Sequence, residues 1–419
     1  MVEPTVKTFL FLQGPHGPYF AMLADALREH GHRALRININ GGDKVDWPGD
    51  ATDYRGTFRN WPLFFDDFIV NHGVSDLILF GDCRPYHTSA HGMARLRGVR
   101  VHVVEEGYIR PDFMTLQDEG VNGNSTLPLD PQWYLEQAQG LPEYDDSLPP
   151  VPSTFRSRAR STMRNGLAAA MMSPYFPFYR THRPHSFLAE SAGWFVKLAR
   201  RSRDKRRSRE IWEQVGDRPY FALPLQLNSD YQIRIHSPFG NMRAALRFVL
   251  KSFALHAPAH VDLVIKRHPL DPGLVQWERL TRRLARHYGI ADRVHFLSEL
   301  DIALVVDNAQ GVVTVNSTVG TLALNSGKPV AVLGHAVYKV PGIVHRSSLD
   351  AFWKAPKAPD MTLYSAFRRV LIDRCLIHGG LTSHEGRMLL VQNAVKRLIA
   401  DERMVLPLVR PGRVQDDAA

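Results

Sequence analysis

The chain has 419 residues, 44% hydrophobic and 22% charged, an ordinary globular composition that excludes disorder, collagen and coiled coil and suits two or three domains with real cores. Its two cysteines, Cys83 and Cys375, exclude a disulfide scaffold and a CxxC-type zinc site and fit a reducing compartment. Fifty-two Lys and Arg against 42 Asp and Glu leave a formal charge of +10; neither a signal peptide nor an apolar run of roughly 18 residues is visible, so the expectation is a cytoplasmic protein without a spanning helix.

The first part alternates strand and helix. Residues 8–12 read as a buried strand, 14–18 as a loop, and 19–30 as a helix with Phe20, Leu23, Ala24 and Leu27 at helical spacing, ended by Gly31. Further strands are predicted at 34–39, 76–80 and 99–104. Strands separated by helices imply a parallel sheet with crossover helices. Residues 141–153, rich in Pro, Asp and Ser, read as a linker.

The positive charge is concentrated after this linker. Residues 155–209 hold fourteen Lys and Arg against Glu190 and Asp204, a local +12, so the rest of the chain is near −2. Aromatics are interleaved: Tyr175, Phe176, Phe178, Tyr179, Trp194 and Phe195. Three readings stay open: a solvated basic helical face, a segment that docks on an anionic membrane surface, or a nucleic-acid contact.

A second α/β unit begins at 219–225. Helices are expected at 241–256 and 277–288, and strands at 261–265, 294–297, 311–315 and 329–333; the tail, 361–404, reads as mostly helical. The predicted domains are 1–150, a basic helical linker at 151–215, a second unit at 216–345 and a helical tail at 346–419. Two Rossmann-like sheets with this linker and tail make the predicted fold class α/β and GT-B-like, with the active site expected in a cleft between the units.

The chemistry-bearing residues follow predicted strands, where ligands bind in parallel sheets. Lys266-Arg267-His268-Pro269 follows 261–265, and a cation with an imidazole donor there suits a phosphate leaving group. Asn316-Ser317-Thr318-Val319-Gly320 reads as strand, loop and helix start; free N–H groups beside Ser317 and Thr318 suit an anion, and Gly320 would let it approach closely. Gln226 and Asp230 follow the unit's first strand and suit a base or sugar. In the first unit, Glu105-Glu106-Gly107 and Arg110 follow strand 99–104, a costly placement that suggests acid/base work or sugar binding. The polar stretch 115–125, with Gln117, Asp118, Glu119, Asn122, Asn124 and Ser125, reads as a loop near the same edge. Gly14-x-x-Gly17 lacks the dinucleotide fingerprint and reads as a tight turn facing the cleft. His87 and His91 are four apart, but no third ligand is obvious, so no metal is expected.

The ordered set Phe11-Leu12-Gln13-Gly14-Pro15, Glu105-Glu106-Gly107-Tyr108-Ile109-Arg110-Pro111, Gly120-Val121-Asn122-Gly123-Asn124-Ser125, Pro224-Leu225-Gln226 with Asp230, Lys266-Arg267-His268-Pro269 and Asn316-Ser317-Thr318-Val319-Gly320 resembles the capsule polysaccharide biosynthesis/export family represented by KpsS and LipB. The resemblance implies a retaining β-Kdo (3-deoxy-D-manno-oct-2-ulosonic acid) transferase using CMP-Kdo. The acceptor implied is a (lyso)phosphatidylglycerol on the cytoplasmic face of the inner membrane, and the product the start of a poly-Kdo linker for a capsular polysaccharide. It places CMP on the second unit, with His268 catalytic and Gln226, Asp230, Lys266, Ser317, Thr318 and Gly320 binding substrate. It places catalytic acids on the first, at Glu105 with Asp118 or Glu119, and substrate contacts at Gly14, Arg110, Asn122, Asn124 and Ser125. Gln117 stands where close relatives would carry an acid. Other capsule assembly proteins are possible partners; a cofactor and nucleic acid are not expected. Two other functions stay open: another CMP-sugar transferase of sialyl or polysialyl type, and a non-enzymatic export or assembly component.

Overall fold

A computed structural model describes residues 6–110, 112–143, 150–181 and 187–400. The first part runs β1 (Thr8–Phe11), α1 (Tyr19–Glu29), β2 (Arg33–Asn38), α2 (Gly41–Asp46), β3 (Thr52–Asp53), α3 (Trp61–His72), β4 (Asp76–Phe80), α4 (Pro85–Leu96), β5 (Arg100–Glu106) and β6 (Phe113–Asp118). There follow α5 (Pro131–Gln137), α6 (Phe155–Met171) and α7 (Phe187–Val215). The second α/β stretch runs β7 (Tyr220–Pro224), α8 (Tyr231–Arg234), α9 (Met242–His256), β8 (Asp262–Lys266), α10 (Trp277–His287), β9 (Val294–Leu297), α11 (Ile302–Asp307), β10 (Gly311–Thr314), α12 (Val319–Asn325) and β11 (Val330–Val332). It closes with α13 (Leu349–Phe352), α14 (Met361–Cys375), β12 (Leu376–His378) and α15 (His384–Ile399).

Each compact unit holds one Rossmann-like sheet. In the first the strand order is β3-β2-β1-β4-β5-β6-β12, and in the second β9-β8-β7-β10-β11. All pairs of the second sheet are parallel, as are β3-β2-β1-β4-β5 of the first. Both therefore wind outward from their first strand in two directions. The switch points, where such folds bind ligands, lie between β1 and β4 and between β7 and β10.

Alternation along β1 builds the first unit's two layers. Phe9 and Phe11 face α1 and α15, with Ile78, Val104 and Leu116. Leu10 and Leu12 face the opposite way, onto Phe65 and Phe68 of α3 and Ala90 and Ala94 of α4. The second unit has its own core, in which Phe221, Leu223, Leu263 and Val313 meet Leu246, Val249 and Phe253 of α9.

The compact units divide the chain differently from the expected domains. The first contains 1–128, 145–180 and 371–419, and the second 129–144 and 181–370. The expected basic linker, 151–215, is thus two helices that belong to different units. Helix α6 packs on α2, where the backbones approach so closely that a side chain at Gly41 would overlap the Ala168 carbonyl. The expected helical tail is interrupted by β12, which pairs antiparallel with β6, and α15 buries Leu390, Val391, Ala394, Val395 and Leu398 in the first unit's core. Of the aromatics offered as membrane anchors, Phe176 is buried, Tyr179 lies 3.4 Å from the Gln13 amide, and Trp194 stacks under Lys197. Tyr175, Phe178 and Phe195 of the same set are exposed. Part of the expected linker, 144–149, and Pro111 lie outside the described residues.

Candidate functional site

At the first unit's switch point the loops after β1 and β4 are tied together. Arg84 donates to the Gln13 side chain (3.0 Å) and to the carbonyls of Gln13 (3.3 Å) and Gly14 (3.4 Å). Gly14 is required by packing, since a Cβ there would meet the Phe20 ring at 2.8 Å. Arg36, buried on β2, donates to Asn38 (3.0 Å) and to the Leu12 carbonyl and lies 3.5 Å from Asp43. These bonds fix the exit of β1.

Glu105 stands at the carboxyl end of β5, half-buried. One of its oxygens accepts the Glu106 N–H (3.1 Å); the other lies against Gly81, at 3.0 Å from where a Cβ would sit. Gly81 has φ +69, the left-handed region glycine favours, and that backbone leaves room for the carboxylate. His87, wholly buried, donates from Nδ1 to the Gly81 carbonyl (2.7 Å); burial pushes its ring down to about 3, so it stays neutral. His91 donates to the Glu119 carbonyl (2.6 Å). The spaced histidine pair therefore holds backbone.

The stretch read as a polar loop begins as a strand. β6 is antiparallel to β5, with Glu105 opposite Thr115 and Asp118 opposite His102. It starts at the ligand edge and ends at the other edge, so Asp118 lies three residues, about 10 Å, along the ladder from Glu105. There Asp118 accepts from His102 Nδ1 (2.7 Å), whose Nε2 binds Asp76 (2.8 Å). Glu119 pairs with Arg95 on α4 (3.1 Å). The structure thus does not bring Asp118 or Glu119 to Glu105.

The chain then climbs back. Asp82, buried after β4, accepts from the Val121 N–H (3.2 Å) and the Asn124 amide (3.0 Å). Tyr108 donates to Gln117 Oε1 (2.7 Å) and accepts the Asn122 N–H (2.7 Å), and Gln117 donates to Ser125 (2.9 Å). Asn122, Asn124 and Ser125 are thereby returned to the edge that carries Glu105. Arg110 donates to the Gly107 carbonyl (3.2 Å) and faces solvent. Glu106 is held ionised: burial disfavours its charge, but Arg110 and Arg158 outweigh this and lower its pKa.

In the second unit, Gln226 and Asn316 join the two switch-point loops. Gln226 donates to Asn316 Oδ1 (2.9 Å) and accepts its N–H (3.1 Å), while the Asn316 amide reaches the carbonyls of Gln232 (2.7 Å) and His236 (3.0 Å). Asp230 caps α8 through the Gln232 N–H (2.9 Å). The Ser317 and Val319 N–H groups are taken by Thr314 and Ser317 side chains (3.1 Å each), and the Gly320 N–H by the Ser317 carbonyl (2.9 Å). The expected row of free donors is therefore largely closed, and Gly320 is required by Tyr338, whose hydroxyl a Cβ would overlap.

Lys266 turns inward to the carbonyls of Arg267 (2.8 Å) and Ser298 (3.2 Å); burial pushes its ammonium down to about 8. Arg267 pairs with Glu299 (3.1 Å) and Asp204 (3.3 Å). His268 differs: its Nδ1 accepts the Leu270 N–H (3.0 Å), so the neutral ring carries its proton on Nε2. A neutral donor at a strand's carboxyl end can hydrogen-bond an oxyanion.

Two residues of the first site, Asp82 and Arg84, were not singled out from the sequence. Strand 76–80 was predicted with its observed bounds, and the rule that ligands lie past strand ends points to Gly81-Asp82-Cys83-Arg84.

The model for the family described as capsule polysaccharide biosynthesis protein matches residues 75–381. The chain is 34% identical to the capsule polysaccharide export protein KpsS of Escherichia coli, over 87% of this chain and 94% of that protein. It is 33% identical to the capsule polysaccharide modification protein LipB of Neisseria meningitidis serogroup B, over 90% and 92%. Among solved structures it aligns with Thermosulfurimonas dismutans KpsC, a beta Kdo 2,7 transferase, at TM-score 0.46 and 15% identity, over 92% of this chain and 99% of that one.

Proposed function

Because the chain belongs to the capsule polysaccharide biosynthesis protein family, we propose that it is a retaining β-Kdo glycosyltransferase. In this reading it moves Kdo from CMP-Kdo to a (lyso)phosphatidylglycerol acceptor and so starts the poly-Kdo linker of a capsular polysaccharide. It needs no metal or other cofactor and works at the cytoplasmic face of the inner membrane, as a peripheral protein. The observation that carries the reading is Glu105, a carboxylate at a strand's carboxyl end, fitted against Gly81 at the rim of a Rossmann-like switch point. Supporting it, His268 stands beside the corresponding edge of the second sheet, its Nδ1 accepting the Leu270 N–H.

Transfer needs two things: a leaving CMP whose developing phosphate charge is stabilised, and a carboxylate that serves the anomeric carbon or the acceptor hydroxyl. His268 on the second unit does the first by donating from Nε2 to the departing phosphate, which leaves with the bonding electron pair. Glu105 on the first unit does the second. Asp118 and Glu119, committed to His102 and Arg95, fall out of the catalytic set.

The test is incubation with CMP-Kdo and lysophosphatidylglycerol, reading CMP release and the mass of the lipid. Release of CMP with one Kdo added to the lipid is expected. Turnover of CMP-sialic acid with CMP-Kdo untouched would establish the other CMP-sugar activity instead, and lipid binding without CMP release from either donor a non-enzymatic role.

A further inference from the structure

Helix α7 is held on the second unit by one stripe. Gly193 lies so close to Pro272 that a Cβ would meet its carbonyl at 2.5 Å. Lys197 donates to the carbonyls of Pro269 and Asp271. Asp204 pairs with Arg267 (3.3 Å), and the Ser208 hydroxyl accepts the N–H groups of Ser298 and Glu299 (3.1 Å each). At 100° per residue the side opposite Lys197 carries Phe195, Ala199, Ser202 and Arg206. That side is uncovered: Phe195 is 77% exposed, and Leu198 and Val196 beside it are 55% and 46% exposed. Arg203, Lys205, Arg206 and Arg209 follow on the outward half, and Arg200 and Arg201 flank the holding stripe, all exposed.

We infer that α7 is the surface by which the protein docks on an anionic phospholipid bilayer, with Phe195 and Leu198 entering the headgroup–acyl boundary and the arginines lying on the phosphates. Charge complementarity and the apolar anchors together select this occupant. A nucleic acid would use the cations and leave the exposed Phe and Leu without a role, whereas a bilayer uses both, since the outward half of the helix carries Phe195 and Leu198 together with Arg203, Lys205, Arg206 and Arg209. Arg207, turned inward to Glu278 (2.9 Å), belongs to the holding side. The biological purpose of docking rests on the lipid-acceptor reading above, but docking itself is measured with no sugar donor present, so the two can fail separately.

The experiment is sedimentation of the full chain with vesicles of phosphatidylcholine alone or with phosphatidylglycerol, over a range of salt. Binding is expected to the anionic vesicles, weakening as salt rises. Changing Arg203, Lys205, Arg206 and Arg209 to Gln should lower partitioning more than about 100-fold. Changing Phe195 and Leu198 to Ser should lower it by about tenfold or more. All six side chains are exposed, so circular dichroism should be unchanged. As a second measurement, Phe195→Trp should add emission that brominated phosphatidylglycerol quenches. Binding to neutral vesicles alone, or full binding by either variant, would overturn the proposal. So would loss in the basic-residue variant alone, with a matching loss of affinity for single-stranded DNA, which marks a general polyanion surface.

Discussion

Glu105 and Asp118 are both carboxylates of paired strands, yet their surroundings give them different work. Glu105→Gln keeps the shape and removes the charge, so turnover should fall by about 10²–10⁴ while CMP binding, proposed for the second unit, is retained; isothermal titration beside a CMP-release assay checks both. Asp118→Asn should keep turnover and lose stability instead, because it strips one of the two acids from buried His102. That ring is a pH-dependent clip. Burial opposes its charge, but Asp118 and Asp76 overcome this and raise it to about 9. A raised histidine contributes stability that is complete below its unfolded value, about 6.5, and lost as pH climbs through 9. Asp76 and Asp118 are themselves lowered; their part is present above about 3.9 and lost as pH falls. Thermal melts from pH 6 to 10 should therefore show a decline through pH 7–9, worth roughly 2–3 kcal/mol, that His102→Gln abolishes.

At the scale of elements, the apolar strands were legible because buried parallel strands read as continuous hydrophobic runs; 76–80 and 294–297 came out with their observed bounds. β6 did not. Both its faces are buried, and one carries Thr115 and Gln117, polar residues satisfied by partners elsewhere in the chain, such as Tyr108 and Ser125 for Gln117, so composition alone reads the stretch as loop. β12 is three residues long between two helices, too short for any periodicity. The candidate site was half visible for the same reason. Strand ends pointed to Glu105 and His268, but the antiparallel return of β6, which carries Asp118 away, is a property of pairing that one sequence does not display. α15 makes the cost of the missed pairing measurable. Leu390 is fully buried against the first unit's sheet, so Leu390→Ala should destabilise by about 2–5 kcal/mol. By hydrogen exchange the loss should appear in α1, β1 and β12, with the second unit's strands unchanged, since that core contains no residue of α15.

The whole molecule repeats one winding scheme twice but completes the two copies at different times. The second unit is drawn from 129–144 and 181–370, while the first waits for residues beyond 371. During synthesis on the ribosome, the early strands emerge with the outer edge of β6 unpaired and Phe9, Phe11, Leu23 and Leu27 lacking the cover that α15 supplies. About 250 residues separate β6 from β12, which at usual elongation rates is a delay of roughly 15–50 s. An open strand edge beside an uncovered apolar face is the kind of surface that nascent chains hide by chaperone binding or lose to aggregation. The segment from residue 371 thus acts as a latch, and the unit made mostly of later residues reaches its native form before the one that starts earlier can.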